Sequence, residues 1–232
     1  MKKSLIAVSM SFALFNMSHV AQAAGDVNAG LAKSATCVSC HGQEGNSMMP
    51  MFPKLAGQNE GYLVKQMQAF KDGSRENSSM AAMVASLSDQ DMRDIAVYYA
   101  AQAVTENDKP RLDVEEEDDE GNDLPASALK AAKEVAQEEQ DALMAQGYDV
   151  YRNGDLDNEI SACIACHGPY GEGNEPAAFP AVKGQHADYL IKTLTDFKTD
   201  ARSNDSDNIM HMIAKKMSEQ EIQAMSYYMS VM

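Results

Sequence analysis

Two short stretches, Cys37-Val38-Ser39-Cys40-His41 and Cys163-Ile164-Ala165-Cys166-His167, contain all 4 cysteines of the 232-residue chain. Each has the pattern C-x-x-C-H and is followed by a glycine. Two thiols three positions apart lie on one helical turn, and the next residue places an imidazole beside them. This is the attachment signature of a c-type haem, in which the thiols bind the vinyl groups and the imidazole binds the iron. We therefore predict two covalently bound haem c groups, attached by Cys37, Cys40, Cys163 and Cys166, with His41 and His167 as iron ligands.

Three other uses of these cysteine pairs need to be considered: a local disulfide, a thioredoxin-like redox motif and half of a zinc site. A redox motif is expected in a βαβ context, and the flanking segments show no strand alternation. A zinc site built from both pairs would have to span 122 residues between Cys40 and Cys163, and it would leave two histidines unused. Two complete motifs, each followed by a glycine, favour haem attachment over all three.

Residues 1–23 have the features of a secretory signal peptide. Lys2 and Lys3 precede an apolar run from Leu5 to Phe15, and small residues flank Gln22. The run is 11 residues long, whereas a membrane-spanning helix needs about 20, which disfavours the rival interpretation of a permanent anchor. We predict cleavage after Ala23 and a periplasmic location for the mature protein.

Composition narrows the class of protein further. The chain is 44% hydrophobic and 23% charged, values typical of a soluble globular protein rather than a transporter, a fibre or a disordered chain. Its 35 acidic and 19 basic residues give a net charge of −16, which would repel a polyphosphate. Nucleic acid is therefore excluded as a predicted partner.

An internal repeat defines the organisation of the chain. The segment Gly57–Lys65 recurs 127 positions later as Gly184–Lys192, and Phe70, Arg75 and Asn77 recur as Phe197, Arg202 and Asn204. Near the module ends, Leu87–Asp91 matches Met217–Glu221, and each segment opens a helix with serine as the expected N-cap. We predict two all-α modules, each with a helix running into the motif, a middle helix (about 58–71 and 186–198), a Met-bearing loop and a terminal helix.

Each iron needs a sixth ligand, and the repeat selects among the 17 methionines. Met80 lies seven residues before Leu87, and Met210 lies seven before Met217. Met83 and Met212 have no methionine at the corresponding position of the other module. We predict Met80 and Met210 as axial ligands, with His211 as the alternative in the second module. His186 is expected to be a surface or packing residue, because Asn59 occupies its position in the first module.

Pro53 and Pro180 follow the motif histidines by 12 and 13 residues. A ligating imidazole needs an acceptor for its second nitrogen, and a carbonyl in a rigid loop meets that need. We predict this supporting role for Pro53 and Pro180; the alternative is that both are ordinary loop prolines.

These features resemble the cytochrome c4 family, periplasmic dihaem proteins made of two class I cytochrome c domains. The resemblance covers nearly all of residues 24–104 and 147–232. It is carried by the two C-x-x-C-H-G motifs, by Phe52–Gln58 with Tyr62-Leu63, by Phe179-Pro180 and Gly184–His186 with Tyr189-Leu190, and by Met80 and Met210. It implies that His41 pairs with Met80 and His167 with Met210, and that the carbonyls of Pro53 and Pro180 support the histidines.

The resemblance also implies a function. The protein would be an electron carrier, not an enzyme, between a quinol-oxidising complex and a haem-copper terminal oxidase. Its partners would be redox proteins, with no small-molecule substrate and with peripheral membrane association as a further option. The alternative is the electron-accepting subunit of a sulfur-compound or sulfide-oxidising dehydrogenase, in which one iron should be open or lack a methionine, or a flavoprotein should bind.

The segment between the modules, residues 105–146, departs from the family pattern. It has 14 acidic and 4 basic residues, including six consecutive acids from Glu115 to Glu120. Such a run is expected to be solvated and extended, and the stretch from Ala126 to Ala145 is expected to be helical. The predicted domains are therefore residues 24–104 and 147–232, joined by this acidic linker. A linker of this length permits the modules to pack together but does not enforce it.

Overall fold

The computed structural model describes residues 24–117 and 122–232. The predicted signal peptide lies outside these residues. Within them the protein has ten α-helices and no strand beyond three isolated bridges, which confirms the all-α prediction. The first module contains α1 (Val27–Lys33), α2 (Val38–His41), α3 (Glu60–Asp72), α4 (Ser78–Val84) and α5 (Asp89–Ala100). The second contains α6 (Ala126–Asn153), α7 (Ile164–His167), α8 (Ala187–Lys198), α9 (Ile209–Ala214) and α10 (Glu219–Ser230).

Each module has its own apolar core. In the first, Leu63 of α3 packs with Ile95 and Tyr99 of α5. In the second, Leu190 of α8 packs with Ile222 of α10 and with partners on α6. The middle and terminal helices therefore supply core residues in both modules, as a tandem duplication predicts.

The terminal helices begin at the serines that the sequence singles out. Ser88 Oγ accepts a hydrogen bond from Asp91 N at 3.1 Å, and Asp91 Oδ2 accepts one from Ser88 N at 2.8 Å. Ser218 and Glu221 form the same reciprocal pair at 3.2 and 2.7 Å. Both predicted N-caps are confirmed as capping boxes, which satisfy backbone donors that the first helical turn leaves free.

The Met-bearing segments differ from the predicted loops, because each folds into a short helix. In α4, Asn77 Oδ1 accepts a hydrogen bond from Met80 N at 2.9 Å and so starts the helix. In α9, Asp205 Oδ2 accepts from His211 N at 3.2 Å. The loop prediction was wrong at these positions, since helices of 7 and 6 residues are too short to give a clear apolar period.

Helix α6 is 28 residues long and joins the linker to the second module without a break. It passes through the predicted domain boundary at residue 146. In the second module a loop then separates Asn153 from Cys163, whereas in the first only a 3₁₀ turn separates α1 from Cys37. The prediction that a helix runs directly into the motif is therefore wrong for the second module.

The first and last helices of each module cross at a glycine. A Cβ atom at Gly30 of α1 would lie 1.9 Å from the carbonyl oxygen of Asp94 in α5. A Cβ atom at Gly147 of α6 would lie 2.2 Å from the carbonyl oxygen of Ala224 in α10. Real Cβ atoms do not approach other heavy atoms this closely, so both crossings require the absence of a side chain.

The two modules are in direct contact. Arg75 Nη2 donates to the hydroxyl of Tyr189, and Arg202 Nη2 donates to the hydroxyl of Tyr62, both at 3.1 Å. Both guanidinium groups also bond Gln66 Oε1, at 2.8 and 3.0 Å. The arginine and tyrosine repeats of the sequence are thus explained by a reciprocal interface. None of the helices within the described residues is long and apolar enough to cross a membrane.

Replacing either crossing glycine should destabilise the protein. We expect Gly30→Ala and Gly147→Ala each to lower the free energy of unfolding by about 1–3 kcal/mol, because the helices must separate to admit a methyl group. The matched control is Gly61→Ala, whose Cβ would lie 3.6 Å from Ala178 Cβ, an ordinary contact. That helical variant should be as stable as the wild type or more so. Thermal unfolding measures all three, and wild-type stability of Gly30→Ala would contradict the crossing.

Candidate functional site

Both cysteine motifs form a single short helical turn. In the first, the N–H of His41 donates to Cys37 O at 2.9 Å, and in the second the N–H of His167 donates to Cys163 O at the same distance. The chain then turns at Gly42 and Gly168, which have φ values of 77° and 79°. The two thiols and the imidazole of each motif are therefore carried by one turn, as haem attachment requires.

The state of the thiols disfavours two of the alternative uses. All four cysteines are free, so neither pair forms a disulfide in this structure. Burial raises the pKa of Cys163 to about 12 and also raises the pKa of Cys37. A reactive thioredoxin-like cysteine has a lowered pKa instead. Within the described ranges, no cluster of three or more His, Cys, Asp or Glu side chains could hold a metal ion by itself, which also disfavours zinc.

The motif histidines are buried and oriented by the two prolines. His41 Nδ1 lies 2.8 Å from Pro53 O, and His167 Nδ1 lies 2.8 Å from Pro180 O. Each carbonyl can only accept, so Nδ1 carries the proton and Nε2 is the nitrogen left for a metal. Burial lowers the pKa of both histidines, which keeps the imidazoles in the neutral form that binds iron.

The methionine candidates differ in environment. Met80 and Met210 are both half-buried, and Met210 packs against the core of its module. Met83 and Met212 are 43% and 55% exposed. A thioether ligand must face the interior of its module, so the half-buried pair suits this role better than the exposed pair.

The alternative ligand His211 and the expected packing residue His186 have different partners. His211 Nε2 lies 2.8 Å from Asp200 Oδ1, so one ring nitrogen is occupied by a carboxylate. His186 Nε2 lies 2.9 Å from Ser47 O in the opposite module. His186 is thus a packing residue of the interface, a role that its counterpart Asn59 shares through a hydrogen bond to Phe179 O.

The residues present fit a haem c in each module. The chemistry of the donor set decides this: two free thiols, a neutral imidazole with a fixed tautomer, and a half-buried thioether. Sequence reasoning identified all of these side chains. It missed the side chains that bind the peptide after each proline, Gln58 and Gln185, although both belong to the repeat.

Comparison with known proteins gives the same assignment. The model of the cytochrome c family matches residues 29–103 and 144–232. Cytochrome c4 of Azotobacter vinelandii is 39% identical, over 98% of both chains. The thiosulfate dehydrogenase electron acceptor of Stutzerimonas stutzeri is 33% identical, over 83% of this chain and 76% of that protein.

Solved structures agree with the sequence relatives. The crystal structure of reduced recombinant cytochrome c4 from Pseudomonas stutzeri superposes with a TM-score of 0.72 at 40% identity, covering 90% of this chain and 99% of that one. The chain therefore belongs to the cytochrome c4 family, electron carriers with two tandem cytochrome c domains, and its two C-x-x-C-H motifs bind two haem c groups covalently.

Proposed function

We propose that this protein carries electrons in the periplasm from a quinol-oxidising complex to a haem-copper terminal oxidase. The haems supply one-electron iron chemistry when bound. The observation that carries the proposal is the equivalence of the two donor sets, each with a buried imidazole held by a prolyl carbonyl at 2.8 Å. With Met80 and Met210 as sixth ligands, neither module keeps an open position for a substrate.

The periplasmic location rests on residues 1–23, which have the charged start, short apolar run and small-residue cleavage site of a signal peptide. Cleavage after Ala23 leaves a mature chain that begins at Ala24. Its domains are residues 24–104 and 147–232, joined by the linker 105–146.

A second candidate function is supported by one comparison. The similarity to the thiosulfate dehydrogenase electron acceptor favours a carrier that accepts electrons from a sulfur-compound dehydrogenase. Stopped-flow reduction of the purified protein by each donor separates the two. The respiratory role is supported if the quinol-oxidising complex reduces the protein rapidly and thiosulfate dehydrogenase reduces it slowly. Faster reduction by thiosulfate dehydrogenase overturns it.

The mature protein should carry two covalent haems. We expect its intact mass to equal that of residues 24–232 plus two haem groups, because both attachment motifs are complete. A Cys163→Ser/Cys166→Ser variant should retain one haem only. A wild-type mass with one haem, or with two disulfides and none, would refute the assignment.

Replacing the axial methionines should change one haem at a time. Met80→His or Met210→His should lower the midpoint potential of its own haem by a sizeable part of the ~0.8 V that axial ligands span, because a thioether favours ferrous iron. Haem-resolved redox titration measures this. Met83→Ala and Met212→Ala are the matched controls. Both should keep the weak absorption band at the red end of the visible spectrum that reports methionine ligation of ferric haem. Loss of that band in either control would show that the wrong methionines were chosen.

The run of six acidic residues, 115–120, is either a spacer between the domains or an element that attracts a basic partner. In the described part, Glu116 O accepts a hydrogen bond from Leu124 N at 2.7 Å, and Glu116 Oε1 lies 3.2 Å from Lys133 Nζ. Glu116 therefore contacts α6 instead of lying on an extended segment, and residues 118–120 of the acidic run lie outside the described residues. Glu115–Glu117 nevertheless remain exposed, so their charge is available to a docking protein.

Replacing residues 115–120 with a Gly/Ser segment of equal length should distinguish these roles. We expect a steering element to show slower association at low salt and a flatter dependence of rate on ionic strength, since charge attraction is screened over ~8 Å at physiological salt. The haem potentials should not move in either case. Rates of reduction and oxidation with the physiological partners provide the measurement, and an unchanged salt dependence would establish a spacer.

A further inference from the structure

Two buried glutamines join the modules at the peptides that support the histidines. Gln185 Oε1 accepts from Lys54 N at 2.8 Å, and Gln185 Nε2 donates to Lys54 O at 2.9 Å. In the opposite direction, Gln58 Oε1 accepts from Ala181 N at 2.8 Å, and Gln58 Nε2 donates to Ala181 O at 2.9 Å. Each glutamine thus binds both the N–H and the C=O of one residue in the other module.

The two residues bound in this way, Lys54 and Ala181, directly follow Pro53 and Pro180. The carbonyl of Pro53 and the N–H of Lys54 belong to one peptide group, and so do the carbonyl of Pro180 and the N–H of Ala181. In each peptide the oxygen accepts from the histidine of its own module, and the N–H donates to the glutamine of the other module. A continuous chain of hydrogen bonds therefore connects each histidine to the opposite domain.

The glutamines are well placed to hold these peptides firmly. Both are 7% exposed, and Lys54 is 4% exposed, so water does not compete for the bonds. Each Oε1 also accepts from the next N–H of its own chain, from Asn59 at 2.9 Å and from His186 at 3.0 Å. Every polar atom of the two amide groups has a partner, and the orientation of each amide is fixed.

Hydrogen bonds in such a chain strengthen one another. An acceptor on the N–H of a peptide increases the negative charge on its carbonyl oxygen, by a cooperative effect of about 10–30% per bond. A more negative Pro53 oxygen draws the Nδ1 proton of His41 more strongly, and Nε2 becomes a better electron donor to iron. Better donation stabilises the ferric state and lowers the midpoint potential.

We propose that each glutamine is a positioning residue for the haem of the opposite domain. Gln185 of the second domain lowers the midpoint potential of the haem on His41. Gln58 of the first domain lowers the midpoint potential of the haem on His167. The proposal rests on His41 and His167 being the iron ligands, as proposed above. Docking of the domains then sets both potentials, although neither glutamine touches a haem ligand itself.

The test uses the full-length dihaem protein with glutamines replaced by methionine, which has a similar shape but neither hydrogen-bonding group. Gln185→Met should raise the potential of the first-domain haem, and Gln58→Met that of the second-domain haem. The expected change is up to about a tenfold rise in the ratio of reduced to oxidised haem at a fixed potential, equivalent to ~59 mV for one electron. Haem-resolved redox titration with NMR assignment measures it.

Matched controls remove a neighbouring contact between the domains and leave the chain of bonds intact. Asn59→Ala deletes the bond to Phe179 O, and His186→Ala deletes the bond to Ser47 O. Both should leave the two potentials close to those of the wild type. Where Gln185→Met does not accumulate, Gln185→Asn keeps an amide that is one methylene too short to reach both groups of Lys54, and it should shift the same haem in the same direction.

The test depends on which haem changes its midpoint potential when a glutamine is replaced. A shift in the haem of the opposite domain supports the proposal. A shift confined to the glutamine's own domain, no shift, or equal shifts of both haems with loosened domains in solution scattering would overturn it. The wild-type ferric spectrum tests the ligands separately, because absence of His/Met ligation there would refute the proposed ligand set whatever the variants do.

Discussion

The hydrogen bond between each motif histidine and a prolyl carbonyl is the constraint on which the rest of each domain depends. It requires the chain to return to the imidazole after 12 or 13 residues, and the returning loop is held by its own backbone bonds. Leu55 N donates to Gly45 O at 2.7 Å, and Val182 N donates to Gly171 O at 2.8 Å. The peptide that follows the proline is thereby fixed at the domain surface, where the other domain can bind it.

Most of the haem-binding residues could be predicted because their chemistry is local. A thiol pair and an imidazole on one turn need only the right spacing. The duplication also favours Met80 and Met210 by a shared offset, and their role as ligands stays a prediction. The same logic predicted the serine caps at Ser88 and Ser218, since a capping box spans four residues. It failed for α4 and α9, whose few turns are stabilised by single side chains such as Asn77 rather than by an apolar period.

The contacts between the domains could not be predicted from local pattern. Gln58 and Gln185 were visible as repeated residues, but their partners lie 123 and 131 positions away, and no periodicity encodes such a pairing. The repeat does contain this information in another form. A duplicated domain can present the same surface twice, and a surface that complements itself then forms reciprocal bonds, as between two copies related by a twofold axis. Arg75 with Tyr189 and Arg202 with Tyr62 follow this rule.

Reciprocity also has a thermodynamic consequence. If the hydrogen bonds of the glutamines favour ferric iron, then by linkage oxidation of the iron must strengthen these hydrogen bonds between the domains by the same factor. A tenfold effect on the redox equilibrium corresponds to ~1.4 kcal/mol of additional docking free energy in the oxidised protein. Because each glutamine acts on the other domain, oxidation at either haem tightens the shared interface. The domains of the reduced protein should therefore be held less firmly, and a long linker such as residues 105–146 keeps them together without having to hold them in place.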